Sequence, residues 1–140
     1  VKEDVIKHLE FAQAIITRMA GNSFLLKAWS VTLTAALFAF AVKDVNRLFA
    51  MLAFFPAVSF WGLDAYYLRQ ERLFRCLYED IRKPPDGAAT PVEPFSLSTT
   101  DYCQSVPGWF RTMWTPSLIG FHGPVMLVVL AVVVILRVYG

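Results

Sequence analysis

The sequence predicts an all-α integral membrane protein with three transmembrane helices, an N-terminal amphipathic helix and a cytoplasmic helical extension of the second span. Three observations predict it. Of 140 residues, 56% are hydrophobic and only 17% are charged, where a soluble domain carries about 25% charged residues. Long uncharged runs recur three times along the chain. Finally, Lys and Arg gather on one side of those runs. A soluble fold would need far more polar chain to cover three such runs.

Residues 2–20 read as an amphipathic helix, because Val5, Leu9, Ala12, Ile16 and Met19 recur at helical steps. Gly21-Asn22-Ser23 is expected to end that helix and to cap the next. Span one covers residues 24–42, which at about 1.5 Å per residue matches a hydrocarbon core of roughly 30 Å. Lys27 stands inside its near end, where a lysine can snorkel to the headgroups. Residues 43–47 form a tight outer turn. Span two covers residues 48–68, with Pro56 as a kink and Trp61, Tyr66 and Tyr67 as an aromatic belt beside Asp64.

The helix of span two is expected to continue through residues 69–83 as a cytoplasmic extension. Tyr67, Gln70, Phe74, Leu77 and Ile81 share one face. Glu71 with Arg75, Arg75 with Glu79, and Glu79 with Lys83 form i,i+4 charge pairs on the outer side. Pro84-Pro85 stops the helix. Residues 84–116 form a linker followed by an interfacial segment that holds Trp109, Phe110, Arg111 and Trp114. Span three covers residues 117–136, with a bend at Gly123-Pro124. No signal peptide is visible, and an initiator Met or short leader is expected ahead of Val1.

Orientation follows from the basic residues. Leaving aside Lys27, nine lie on the side of the N-terminus and of residues 69–116, and three on the other. Positive-inside then places the N-terminus in the cytoplasm and the C-terminus in the periplasm of a bacterial inner membrane. The two cytoplasmic helices carry apolar stripes, so they are expected to pack together or on a partner.

The net charge of +2 is too small to indicate a nucleic-acid partner. Enzyme motifs are absent: no GxSxG, HExxH or phosphate-binding glycine loop occurs. Cys76 and Cys103 lie outside the spans without metal-ligand spacing, and His8 and His122 are isolated from them and from each other. No catalytic residue, metal or cofactor is therefore expected. Nor is any span expected to hold the buried Asp, Glu or His of a proton relay.

Four groups remain as candidate sites. Ser30 and Thr34 share a face of span one, and either support close packing or line a water-filled path in an oligomer. Ala28, Thr32, Ala35, Ala36 and Ala39 form a neighbouring face of small side chains suited to helix packing. In an antiparallel hairpin Lys27 and Asp64 lie at similar depth, and either pair with each other or snorkel separately. Arg69, Arg72 and Arg75 form a solvated basic face or contact anionic lipid or a nucleotide phosphate.

Two stretches carry a resemblance. Asn22-Ser23-Phe24-Leu25-Leu26-Lys27-Ala28-Trp29 leads into span one, and Trp61-Gly62-Leu63-Asp64-Ala65-Tyr66-Tyr67-Leu68-Arg69-Gln70-Glu71-Arg72-Leu73-Phe74-Arg75 leaves span two. These resemble small bacterial inner-membrane proteins. The layout of amphipathic helix, transmembrane hairpin and charged exit helix over residues 2–83 is similar to the SLATT family. The third span departs from that two-span pattern. The resemblance implies a pore-forming or otherwise membrane-perturbing effector in bacterial conflict and antiphage systems, often encoded beside nucleotide-signal enzymes. It transfers no functional residues. Two functions are therefore carried forward: an oligomeric, non-enzymatic membrane effector held closed by its cytoplasmic helices until a protein or nucleotide signal acts, and an accessory subunit that docks a larger membrane complex.

Overall fold

The computed structural model describes residues 2–44, 46–83 and 93–139. Among them the regular structure is helical, with no strand. Helix α1 runs over Lys2–Asp44, α2 over Arg47–Leu52, α3 over Phe54–Arg82, α4 over Trp109–Met113 and α5 over Pro116–Tyr139. Three helical stretches are long and apolar enough to cross a membrane: Glu3–Lys43, Arg47–Arg82 and Pro116–Tyr139.

No helix end occurs at Gly21-Asn22-Ser23; α1 is continuous through all three residues. A mid-helix glycine costs only about 1 kcal/mol against alanine, and a single buried seam runs through the supposed break in phase. His8, Ala12, Ile16, Met19, Ser23, Lys27, Ser30, Thr34 and Ala41 all turn inward or stand half-buried. Their steps of three and four residues, and the one of seven from Thr34 to Ala41, follow one face of a helix. Ser23 spends its hydroxyl on a neighbouring helix rather than on a cap. The amphipathic segment and span one are thus one rod.

The return turn is shorter than the expected residues 43–47, because α1 holds to Asp44 and α2 begins at Arg47. Asn46 caps α2, its side chain accepting from the Leu48 amide at 2.9 Å. Span two is broken at Ala53, between α2 and α3. Pro56 explains the break, since it has no amide to offer the Leu52 carbonyl and its ring crowds that carbonyl. Beyond Asp64 α3 continues as one helix to Arg82. In α5 the helix passes through Gly123-Pro124 without interruption and starts at Pro116, where the missing amide costs nothing.

The apolar stripes of the two polar-flanked helix halves meet each other. Ala12, Leu77 and Ile81 are buried together, with Leu9, Phe74, Tyr78 and Tyr102 against them. A second cluster, Ala53, Ala57 and Val129 with Leu37, Phe38 and Val125, joins all three long stretches further along. On the outer side of α3, Glu71 pairs with Arg75 at 2.7 Å as expected. Glu79 instead takes Arg82 at 2.7 Å, three residues on. The Arg75 guanidinium is already held twice by Glu71, which removes it as a partner for Glu79.

Of the expected linker, residues 84–92 lie outside the described residues. From Glu93 onward the chain is docked. His8 Nε2 donates to the Ser96 carbonyl at 2.6 Å, and the Phe95 ring leans on His8 and Phe11. Tyr102, in a single 3-10 turn, is tied to Asp80; burial first, and this carboxylate second, push its phenol well above the ordinary value. Helix α4 is pinned by exchanged indoles: Trp61 Nε1 donates to the Met113 carbonyl at 2.9 Å, and Trp109 Nε1 to the Gly62 carbonyl at 2.8 Å. Trp61 is thereby turned toward its neighbours, while Tyr66, Trp109, Phe110 and Trp114 stay exposed as the aromatic rim.

Gly21 and Gly62 separate these two kinds of position. A Cβ at Gly21 would meet nothing within 4 Å, whereas one at Gly62 would stand 3.1 Å from Trp109 Cζ2. Gly21→Ala should raise stability in detergent by about 0.5–1 kcal/mol. Gly62→Ala should lower it and loosen α4, seen as a shift in Trp109 emission. A second outcome follows from Tyr102. Its phenol stays protonated when folded at pH values where the unfolded chain releases the proton. Its contribution is therefore complete below about pH 10 and fades as pH rises above that. Thermal melts above pH 10 should show this loss in the wild type and a smaller slope in Tyr102→Phe.

Candidate functional site: a buried charge cluster

The site is built from the seam of α1. Its inner face is apolar at both ends and polar in the middle, where Ser23, Lys27, Ser30 and Thr34 follow one another at steps of four, three and four. Helix α3 brings Asp64 against that polar stretch, and α5 brings His122. Asp64 and His122 are fully buried, at 0% and 1% exposure, while the Lys27 side chain keeps 25%.

Asp64 collects a donor from each direction. Lys27 Nζ lies 2.6 Å from its Oδ2, and His122 Nε2 lies 2.8 Å from the same oxygen. Ser23 Oγ donates to Oδ1, and Lys27 also donates to Ser23 Oγ at 2.9 Å. An ionised carboxylate only accepts, so the His122 proton at this contact sits on Nε2. Its other nitrogen, Nδ1, is buried without a partner. With Lys27 and Asp64 ionised and the imidazole neutral, the cluster carries no net charge, the least costly way to hold these groups out of water.

Aromatic rings close the site. Trp61 lies almost parallel to the His122 ring, 7° between planes and 6.0 Å between centroids. Phe121 presents its edge to His122 at 5.0 Å and sits 5.9 Å from Lys27 Nζ. Because Trp61 is itself held by the Met113 carbonyl, α4 fixes one wall. Among the described residues no set of three or more His, Cys, Asp or Glu side chains gathers as a metal would require. The chemistry available is charge pairing and proton exchange.

The structure brings Lys27 and Asp64 together. Ser30 and Thr34 turn into the chain's own bundle, at 0% and 6% exposure, and neither hydroxyl has a partner. Thr32, on the same helix, instead donates to the Ala28 carbonyl at 2.9 Å. Ala28, Thr32, Ala35, Ala36 and Ala39 are all exposed on the opposite side of the helix from this seam. Arg69 donates to the Pro107 carbonyl at 3.2 Å and Arg75 to Glu71, so both are committed to protein acceptors; Arg72 stands half-buried on α3 beside them.

One expectation is corrected. A candidate span does hold a buried carboxylate, and another holds the histidine that meets it. The sequence sets Asp64 beside the aromatic belt and keeps His122 apart from the cysteines and His8, but it does not pair the two with each other. The signal was present, because His122 is the one ionisable side chain between Arg111 and Arg137, and an ionisable group inside an apolar run marks a site by default. What the sequence lacks is any local motif linking the two residues, which stand 58 positions apart.

No protein-family model matches the chain, and no curated protein or solved structure matches it.

The cluster predicts strong coupling between its charges. Asp64→Ala leaves three donors facing one another without an acceptor and should cost about 3–5 kcal/mol. Lys27→Ala should cost less, since the ammonium is partly in water. Their double mutant should fall short of additivity by about 1–3 kcal/mol in detergent unfolding. Additivity within about 0.5 kcal/mol would mean that the two charges stand independently.

Proposed function

We propose that this protein is a non-enzymatic, oligomeric effector of the bacterial inner membrane that breaches the bilayer when its bundle opens. One observation carries the reading: α1 turns its hydroxyl seam inward and leaves its small-residue face outward. Ala28, Thr32, Ala35, Ala36 and Ala39 offer a second copy a surface on which backbones can approach closely. Ser30 and Thr34, sealed inside each chain, are polar groups that water would reach once the helices part. In the resting state the Asp64 cluster holds the three long helices together, so the assembled copies leave the membrane intact.

Membrane residence is supported by the outer surface. Phe24, Phe55 and Leu127 are 72%, 76% and 68% exposed, among many other exposed aliphatic and aromatic side chains suited to lipid rather than water. The nine-to-three distribution of basic residues supports an N-terminus and α3 extension in the cytoplasm and a C-terminus in the periplasm. The SLATT-like layout supports a role in antiphage defence.

A second observation favours the accessory-subunit reading. The cytoplasmic half of α1 and Tyr78 border an open groove of about 670 Å³ lined by Ile6, Leu9, Gln13, Ala14 and Thr17, wide enough for a partner's side chains.

Induced expression in bacteria distinguishes the two. The wild type should depolarise the membrane, detected with a potential-sensitive dye. Ala36→Leu and Ala39→Leu should insert normally, remain monomeric and leave the potential unchanged, because these positions are exposed on the surface of the single chain. A wild type that accumulates in the membrane as a monomer, or that never alters the potential, would sink the effector reading.

A further inference from the structure

Lys27 and His122 approach the same atom. Both Nζ, at 2.6 Å, and Nε2, at 2.8 Å, are directed at Oδ2 of Asp64. That arrangement is comfortable while only one of the two bases is charged. The His122 ring has a single place for a further proton, Nδ1, which is buried and has no hydrogen-bond partner. We propose that His122 is a proton-binding site that switches the ion pair of Asp64 from Lys27 to His122, so that a proton is the signal that loosens α1 from α3.

The groups that decide the switch come from every helix at this corner. Helix α1 supplies Lys27 and Ser23, and α3 supplies Asp64 and the Trp61 ring. Helix α5 supplies His122 and Phe121, and α4 supplies the Met113 carbonyl that holds Trp61. Among the described residues, Lys27 and Asp64 are the ionisable groups within ion-pair distance of His122 or of its partner.

When a proton from solvent adds to Nδ1, the ring becomes an imidazolium that keeps its Nε2–H bond to Asp64. Two cations then share one carboxylate oxygen in a poorly hydrated site, and their repulsion is hardly screened. One must leave. His122 cannot, because its ring is 1% exposed and held between Trp61 and Phe121. Lys27 can, since a quarter of its side chain is already exposed and its flexible stem reaches toward water. The parallel Trp61 face also favours the charged ring over the neutral one. The result is a tighter α3–α5 pair and a weaker α1–α3 pair. The strain falls where the seam of α1 passes from Ser23 to the unpartnered hydroxyls of Ser30 and Thr34. Of the side chains in this cluster, imidazole is the one whose ordinary range lies between pH 5 and 8.

This inference rests on the reading of the three long helices as spans but not on pore formation, and its test uses the full chain in lipid nanodiscs without any activity assay. An imidazolium quenches an indole stacked on it. Tryptophan emission of the wild type should therefore fall through one transition as pH is lowered from 8 to 5. His8→Gln should keep the transition, and His122→Gln and Trp61→Phe should lose it. Lys27→Met removes the competing cation, so its transition should move upward by about one pH unit or more. Persistence of the transition in His122→Gln would overturn the proposal, and so would a Lys27→Met midpoint within about 0.3 pH units of the wild type. Should Lys27→Met fail to fold, ¹⁵N spectra of histidine-labelled wild type decide instead. The His122 nitrogens should pass from the Nε2–H form to the doubly protonated form, and a ring that stays neutral to pH 5 overturns the proposal. Depolarisation of cells without this transition would sink the switch alone; the transition without depolarisation would sink the effector reading alone.

Discussion

Asp64 is a single carboxylate on which three helices converge. In an aqueous protein such a residue would be one surface charge among many. Here it has no water to turn to, so each of its acceptor sites has to be filled by the chain itself. Ser23 and Lys27 fill two of them from α1 and His122 fills another from α5. Among the described residues, the His122 contact is the one side-chain hydrogen bond joining α5 to the hairpin. The rest of the α5 interface is apolar, built from aliphatic and aromatic side chains such as Val129, Val125, Phe38 and Trp61. Val129 can pack equally well on several registers of alanine, whereas Nε2 can meet Oδ2 in only one. The cluster therefore specifies how the bundle is assembled more than it adds to its net stability, a role suited to a buried ion pair whose desolvation cost offsets much of its attraction.

That constraint also explains why α1 does not break. If the chain turned at Gly21-Asn22-Ser23, Ser23 would be a cap and its hydroxyl would point at backbone amides. Lys27 would lose its link to the segment before it. Keeping the rod straight places Ser23 and Lys27 one turn apart above Asp64. It also keeps Ala12 and Ile16 in phase against the extension of α3. Local propensity at glycine and asparagine opposes this, but by an amount that a few buried contacts outweigh. The reverse holds at Pro56. There the missing amide and the steric clash are not adjustable by packing, and span two divides at Ala53.

These two cases show which features were legible in the sequence. The three long apolar helices, the continuation of α3 to Arg82 and the meeting of the two apolar stripes all follow from periodicity and charge spacing. Both depend on side chains close together along one helix. Lys27 beside Asp64 follows from the antiparallel hairpin, because the short turn fixes relative depth. His122 was not legible in the same way. Its depth depends on where span three starts and on how residues 93–115 return to the bundle. That return is set by contacts such as His8 with Ser96 and Trp109 with Gly62, which leave no pattern in the sequence. The inward turn of Ser30 and Thr34 was likewise open. A hydroxyl face suits either a packed seam or a wet path, and only the placement of Asp64 on the same face decides it.

The partnerless hydroxyls bear on how such a bundle can move. A buried hydroxyl in an apolar setting normally donates to the carbonyl one turn back, as Thr32 does on the outer face. Ser30 and Thr34 forgo that bond although they sit deeper. They are thus a local cost carried by the closed form, of a kind that admitting water would relieve. The Asp64 cluster, next to them on the seam, is the local gain that the closed form holds in exchange. A closed state assembled from one strong polar tie and one adjacent polar deficit is balanced at a single point. Weakening the tie at Lys27 leaves Ser23 as the polar contact between α1 and Asp64, while the apolar clusters on either side keep the helices within the bundle. The opening proposed for the effector would need no unfolding of α1, only a parting of the seam between Ser23 and Thr34.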